Sequence, residues 1–371
     1  MNDAELKYWL GFNLVNGIGP ARVQALLDRY GSLERAWSAA DPELSELGFD
    51  QRALEGLREA RLRLDLEREL ARLRQAGVQL LTWESEGYPR LLREVPGRPP
   101  LLYVAGELLE VDEWAVAVVG TRRLTHYGRQ VARDLVSGLV SSQITIVSGL
   151  ANGIDTVAHE TALDQGGRTI AVLGSGPNVI YPPENRALAK RILAGRGALV
   201  SEYGLDVKPE AHNFPPRNRI ISGLSLGVVI VEAGEKSGAL ITANFALEQN
   251  REVLAVPGNI SSPASRGTNR LIQQGAKLVS RVEDVLEELN LRLAPQQMAV
   301  QRVLPETAEE ARLLSLLSFQ PLHIDELSRQ AEMPSSAVSS ALTVMELKGM
   351  VQQVGGMNYV LREPGPDYRI G

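Results

Sequence analysis

Residue types suited to holding an anion recur in this sequence at the ends of short apolar runs. Val119 is followed by Gly120-Thr121-Arg122-Arg123-Leu124-Thr125-His126-Tyr127-Gly128, and Val147 by Ser148-Gly149-Leu150-Ala151-Asn152-Gly153-Ile154-Asp155. Leu173 leads into Gly174-Ser175-Gly176-Pro177-Asn178, and Val231 into Glu232-Ala233-Gly234-Glu235-Lys236-Ser237-Gly238. A Gly-rich turn from strand to helix exposes backbone N–H groups at a helix N-terminus, where anions bind. Four such turns on one sheet edge would make a long anion-binding rim. A further segment, Phe214-Pro215-Pro216-Arg217-Asn218-Arg219, places an aromatic beside two prolines and two arginines. Prolines fix a loop, arginines pair with phosphates, and an aromatic face stacks on a base, a combination suited to single-stranded nucleic acid. An equally weighted reading makes Phe214 a core residue and has Arg217 or Arg219 cap a helix or pair with Glu202 or Glu232.

Other chemistries are poorly served. The 371 residues include no cysteine and four histidines (His126, His159, His212 and His323), none spaced as metal ligands. Thiolate chemistry is excluded, and no metal is expected. A dinucleotide fingerprint needs G-x-G-x-x-G after the first strand. Gly120 opens that turn without the later glycines, and Gly174-Ser175-Gly176 runs into Pro177. A phosphate-binding loop needs Gly before its Lys-Ser pair, whereas Glu235 precedes Lys236-Ser237. No nucleotide cofactor is expected. Asp155, Glu202 and Glu232 fall near strand ends, but no nucleophile–base pair lies beside them. They read as a helix N-terminal anion (Asp155) and as partners for arginines, so no catalytic residue is assigned.

The elements that would carry these loops follow from periodicity. A hydrophobic share of 44% rules out wholesale disorder, and at roughly 150 residues per domain the length suits two or three domains. Residues 5–75 read as helical, with Leu6, Leu10 and Leu14 and then Val23, Leu26 and Leu27 near a helical period. Between them Gly17-Ile18-Gly19-Pro20 is either a plain helix connection or the phosphate-holding turn of a helix-hairpin-helix. The run Arg52 to Gln75 reads as one charged amphipathic helix. From about residue 76, apolar β-branched runs alternate with helices. Strands are expected at 115–119, 144–148, 169–173, 198–201, 227–231, 252–256 and 276–279, with helices near 126–140, 154–165, 184–195, 239–250 and 282–290. Continuous apolar strands with helices between them mean a parallel sheet covered on both faces, an enlarged Rossmann-like α/β fold.

The domain boundaries read as 1–75 helical, 76–291 Rossmann-like, 292–306 linker and 307–363 winged helix. Helices at 308–318, 323–331 and 335–347 precede a hairpin over 350–361 that turns at Gly355-Gly356, which is the winged-helix order. Residues 305–363 carry 8 acidic and 4 basic side chains. The second helix of the pair, Ser335–Leu347, contains neither Lys nor Arg, which fits protein contact or stabilisation better than a DNA groove. The first residues hold charges and no apolar leader, and no run of 18 apolar residues occurs. A cytoplasmic protein without membrane contact is expected.

Taken together, these loops resemble the DNA-processing protein A family, also called Smf. The resemblance rests on Val119-Gly-Thr-Arg122, Ser148-Gly-Leu-Ala-Asn-Gly-Ile-Asp155, Leu173-Gly-Ser-Gly176 with Tyr181-Pro182, Phe214-Pro-Pro-Arg-Asn-Arg-Ile-Ile221, Lys236-Ser-Gly-Ala-Leu-Ile-Thr242 and Ala255-Val-Pro-Gly258. It covers most of residues 115–280, and the flanks agree with a sterile-alpha-motif-like N-terminal domain and a C-terminal winged helix. The resemblance implies a non-enzymatic protein of natural transformation that binds incoming single-stranded DNA, protects it, and loads RecA recombinase. It implies DNA contacts at Thr121, Arg122, Gly149, Gly153, Gly174, Gly176, Phe214, Arg217, Asn218, Arg219, Lys236 and Ser237. It also implies a homodimer through Leu247, Ile272 and Leu278. A second class stays open, because the sheet domain is also similar to the nucleotide-hydrolysing lysine-decarboxylase-like (LOG) enzymes. Their P-G-G-x-G-T-x-x-E turn corresponds to Glu232–Thr242, which lacks the double Gly and the following Glu.

Overall fold

The computed structural model describes residues 3–195, 197–291, 307–318, 321–347 and 350–361. The chain divides into two units, Met1–Arg292 and Leu293–Gly371.

In the larger unit the apolar runs become a nine-stranded sheet in the order β1-β2-β6-β5-β4-β3-β7-β8-β9. The strands are β1 (Val78–Thr82), β2 (Leu101–Gly106), β3 (Ala115–Val119), β4 (Thr145–Ser148), β5 (Thr169–Val172), β6 (Gly197–Ser201), β7 (Gly227–Ile230), β8 (Glu252–Ala255) and β9 (Lys277–Leu278). Every residue of β3, β4, β5, β6 and β7 is buried, as strands covered on both faces must be. All ladders from β6 to β9 are parallel. The sheet is mixed at one edge, where β2 runs antiparallel to β6 and β1 antiparallel to β2. The seven strands expected from the sequence, β3 to β9, are parallel to one another, and β1 and β2 add an antiparallel edge.

Six helices precede β1: α1 (Asp3–Asn13), α2 (Pro20–Tyr30), α3 (Leu33–Trp37), α4 (Asp41–Glu46), α5 (Gln51–Arg63) and α6 (Leu66–Gln75). The single helix read over Arg52 to Gln75 is two. Asp65 interrupts it and its side chain accepts a hydrogen bond from the Arg68 N–H, capping α6. The Gly17-Ile18-Gly19 turn feeds α2, with Gly17 at φ +89°. Arg22 closes the turn by donating to the Gly17 carbonyl at 2.6 Å and to the Gly48 carbonyl. These helices share a core with the sheet: Trp9, Leu10, Phe12 and Leu73 cluster with Leu101, Tyr103, Leu173 and Leu199. The boundary at residue 75 is therefore a change of secondary structure within one continuous core.

After β1 come α7 (Arg90–Arg93), α8 (His126–Ser141), α9 (Ile154–Asp164), α10 (Arg186–Leu193), α11 (Phe214–Gly223), α12 (Ala239–Glu248), α13 (Arg266–Gln273) and α14 (Val282–Glu288). From β3 the chain winds outward through β4, β5 and β6 on one side and through β7, β8 and β9 on the other. The order therefore reverses between β3 and β7, and a crevice opens beyond their carboxyl ends, the usual place for a ligand in an open α/β sheet.

The smaller unit matches the winged-helix order. Helices Ala308–Leu316, Ile324–Ala331 and Ser335–Leu347 accompany a three-stranded sheet of Leu322–His323, Val351–Gln353 and Asn358–Leu361. Leu313, Leu327, Val338, Leu342, Met345 and Val351 form its core. Residues 292–306, read as a linker, lie outside the described residues.

Candidate nucleic-acid interface

The crevice at the β3/β7 reversal is a cavity of about 850 Å³. It brings together Thr121 and Arg122 from the β3–α8 turn, Phe214, Arg217 and Asn218 from α11, and Lys236 and Ser237 from the β7–α12 turn. Arg123, Asp155 and Tyr181, outside the twelve expected contacts, also line it. Arg219 and the four glycines Gly149, Gly153, Gly174 and Gly176 are not on its wall.

Hydrogen bonds tie the turns to one another. The Thr121 N–H donates to the Glu232 carbonyl at 2.7 Å, and the Thr121 carbonyl accepts from the Ile154 N–H. The Glu232 carboxylate, 2% exposed, accepts from the Thr125 N–H at 2.9 Å and hydroxyl at 2.7 Å. Glu232 thus fixes the Arg122 turn; expected as an arginine partner, it holds Thr125 instead. Gly153 admits the close approach, since at φ +90° a Cβ would stand 2.2 Å from the Thr121 carbonyl. The Asp155 carboxylate accepts from the Gly149 and Ala151 N–H groups. From the first turn of α9, the helix N-terminal position expected for it, it also fastens the β4–α9 loop.

The segment opening at Phe214 is helical. Pro215 and Pro216 occupy the first turn of α11, where the missing N–H removes no hydrogen bond. Phe214 is half-buried at the helix start. Its ring lies against Gly174, where a Cβ would stand 2.9 Å from the ring. The Arg122 guanidinium is 5.8 Å from the ring centroid and that of Arg217 is 5.7 Å, both within cation–π range. The Tyr181 ring is 5.7 Å away.

The three arginines differ sharply in exposure. Arg122 is exposed, and its side chain forms no ion pair or hydrogen bond with a described residue. Arg217 is 4% exposed and donates to the carbonyls of Gly149 and Val172 and to the Asn218 side chain. Burial pushes its guanidinium down to about 10, opposed by the Asp155 carboxylate, so it stays charged at neutral pH. Arg219 forms a two-pronged pair with Glu202 at 2.7 and 2.6 Å and donates to the Gly97 carbonyl. The pairing with Glu202 is one the sequence allowed. Beneath this layer His159 is wholly buried, 2.6 Å from the Thr169 hydroxyl, and burial pushes it down to about 3.

The remaining glycines are closely packed. A Cβ on Gly149 would stand 2.8 Å from the Arg217 guanidinium, and one on Gly176 would stand 2.3 Å from the Gly204 carbonyl. Of the expected interface residues, Leu247 is 60% exposed at the end of α12 and Leu278 is 44% exposed on the edge strand β9. Ile272, on α13, is partly buried against the sheet core. Among the described residues no group of His, Asp and Glu could hold a metal, and no helix is long and apolar enough to cross a membrane.

Residues 79–290 match the family model described as DNA recombination-mediator protein A, and residues 297–357 match the DprA winged helix domain. The chain is 36% identical to protein Smf of Synechocystis, across 98% of this chain and all of that protein. The X-ray structure of DNA processing protein A from Streptococcus pneumoniae superposes with a TM-score of 0.67 at 35% identity, covering 76% of this chain and 97% of that one. A structure from Helicobacter pylori, reported for the single-stranded DNA binding mode of its DNA processing protein A, has a TM-score of 0.51 at 31% identity and covers 57% and 96%. The chain belongs to the DNA recombination-mediator protein A family.

Proposed function

We propose that this chain is a cytoplasmic, non-enzymatic, single-stranded DNA-binding protein of natural transformation that works as a homodimer and hands its strand to RecA recombinase. The observation that carries the reading is the pairing at the crevice: an exposed arginine without an ionic partner among the described residues, Arg122, over a half-buried aromatic, Phe214. The guanidinium supplies phosphate neutralisation and the ring a base-stacking surface, the two ingredients of single-strand binding. Lys236, exposed on the same wall, adds charge. The single-strand binding reported for the Helicobacter pylori relative points the same way. Oligothymidylate should bind far more tightly than duplex of equal length. In fluorescence anisotropy its affinity should fall with a log–log salt slope of about −0.7 per phosphate contact. Equal binding of duplex, or affinity indifferent to salt, would overturn the reading.

The assembly has its own test. Leu247 and Leu278 leave apolar surface in water, which a two-fold contact would cover. Leu247→Glu should give a folded monomer by light scattering with an unchanged melting transition. A dimer that persists in this variant counts against this surface.

A further inference from the structure

Tyr181 stands on the rim of the crevice with 43% of its surface exposed, and no described residue pairs with its hydroxyl. The backbone around it is pinned on both sides. Upstream, the Ser175 hydroxyl donates to the Val179 carbonyl at 2.6 Å, and the Val179 N–H donates to the Gly176 carbonyl. Downstream, Asn185 is 5% exposed; its side-chain amide donates to the Leu150 carbonyl and the Thr156 hydroxyl, and its N–H donates to the Pro182 carbonyl. A loop anchored this firmly still leaves an aromatic ring in water beside a second one. The rings of Tyr181 and Phe214 lie 5.7 Å apart at 46° to each other.

That geometry decides how bases can use the pair. A base sandwiched between two rings needs parallel faces about 7 Å apart, twice an ordinary carbon–carbon contact. These rings are closer and tilted, so nothing fits between them. Bases can instead reach the exposed part of each ring, where Tyr181 and the half-buried Phe214 stand side by side at the crevice rim with Arg122 over Phe214. We propose that Tyr181 is a second base platform, so that consecutive bases of one strand take Phe214 and Tyr181 in turn while a phosphate meets Arg122. The inference rests on the single-strand reading above and extends the site from one nucleotide to two.

The test uses the full-length protein and oligothymidylates. Tyr181→Ala should weaken binding by roughly 5- to 150-fold, the range for loss of one base–aromatic stack, and leave the salt slope unchanged. Tyr181→Phe should bind like the natural protein, because stacking does not need the hydroxyl. Tyr181→Leu, which keeps apolar bulk without a π face, should bind like Tyr181→Ala. Independently of any variant, strands carrying 5-iododeoxyuridine should photo-crosslink to the Tyr181 peptide of the unaltered protein. Tyr181→Ala binding within about twofold of the natural protein, or crosslinks that reach Phe214 and spare Tyr181, would overturn the second platform while leaving the general reading intact. Failure of the unaltered protein to bind any single strand would overturn both.

Discussion

Replacing Arg217 by alanine is expected to destabilise the larger unit by about 3–5 kcal/mol, the usual consequence of removing one member of a buried charged network. The side chain is 4% exposed and lies where three loops converge. It holds the Gly149 carbonyl of the β4–α9 loop and the Val172 carbonyl at the end of β5. The Asp155 carboxylate comes close as well: a Cβ on Gly149 would stand 2.9 Å from it and 2.8 Å from the guanidinium. Alanine leaves two carbonyls and a carboxylate buried without their cation, and it opens a void under the Phe214 ring. Lysine does not restore the arrangement, since one ammonium cannot reproduce the planar fork. Thermal melting should therefore show large losses for Arg217→Ala and Arg217→Lys. Arg122→Ala, at nearly the same distance from the same ring, should melt like the natural protein. If Arg217→Ala kept the natural melting temperature and lost only DNA affinity, the side chain would be a phosphate ligand rather than a structural one.

The contrast between Arg122 and Arg217 marks the limit of what the sequence reveals. Residue types and their loops were legible: Thr121, Arg122, Phe214, Arg217, Asn218, Lys236 and Ser237 all line one cavity. Parallel strands end together at one sheet edge, so a motif following each apolar run has one place to go. Exposure was not legible. An arginine near a strand end reads alike whether it faces solvent, as Arg122 does, or is enclosed among carbonyls, as Arg217 is. Only the fold shows that α11 turns Arg217 under the sheet edge and Arg219 toward Glu202.

The same limit covers elements with no clear local signal. Val78–Thr82 and Leu101–Gly106 pair antiparallel at the sheet edge, far outside the alternating strand–helix rhythm that made the other strands legible. Phe214-Pro215-Pro216 reads as a rigid loop because proline disrupts helix interiors, yet a helix tolerates it in its first turn. Tyr181 carried a signal in the Tyr181-Pro182 pair, but nothing local placed its ring beside one 33 positions later. Gly174 and Gly176 looked like phosphate-facing turns. In the fold a Cβ on Gly174 would meet the Phe214 ring and one on Gly176 the Gly204 carbonyl, neighbours the sequence did not indicate.

Arg122→Ala and Phe214→Ala should each weaken single-strand binding, with signatures that separate charge from stacking. Arg122 is exposed and has no ionic partner among the described residues, so its loss removes a phosphate contact and little else. The log–log salt slope should flatten by about 0.7, the share of one phosphate on a single strand. Phe214 carries no charge. Its replacement should cost about 1–3 kcal/mol of binding, the range for one base–aromatic stack, and leave the slope where it was. Phe214 is half-buried, with its ring against Gly174 and the Arg217 guanidinium nearby. Truncation should therefore cost much less stability than the roughly 3–5 kcal/mol of a phenylalanine removed from a packed core. A thermal melt run beside the salt titration discriminates the two roles. If Phe214→Ala melts as a core variant does while its folded fraction binds normally, the ring is structural and the base surface lies elsewhere on the crevice.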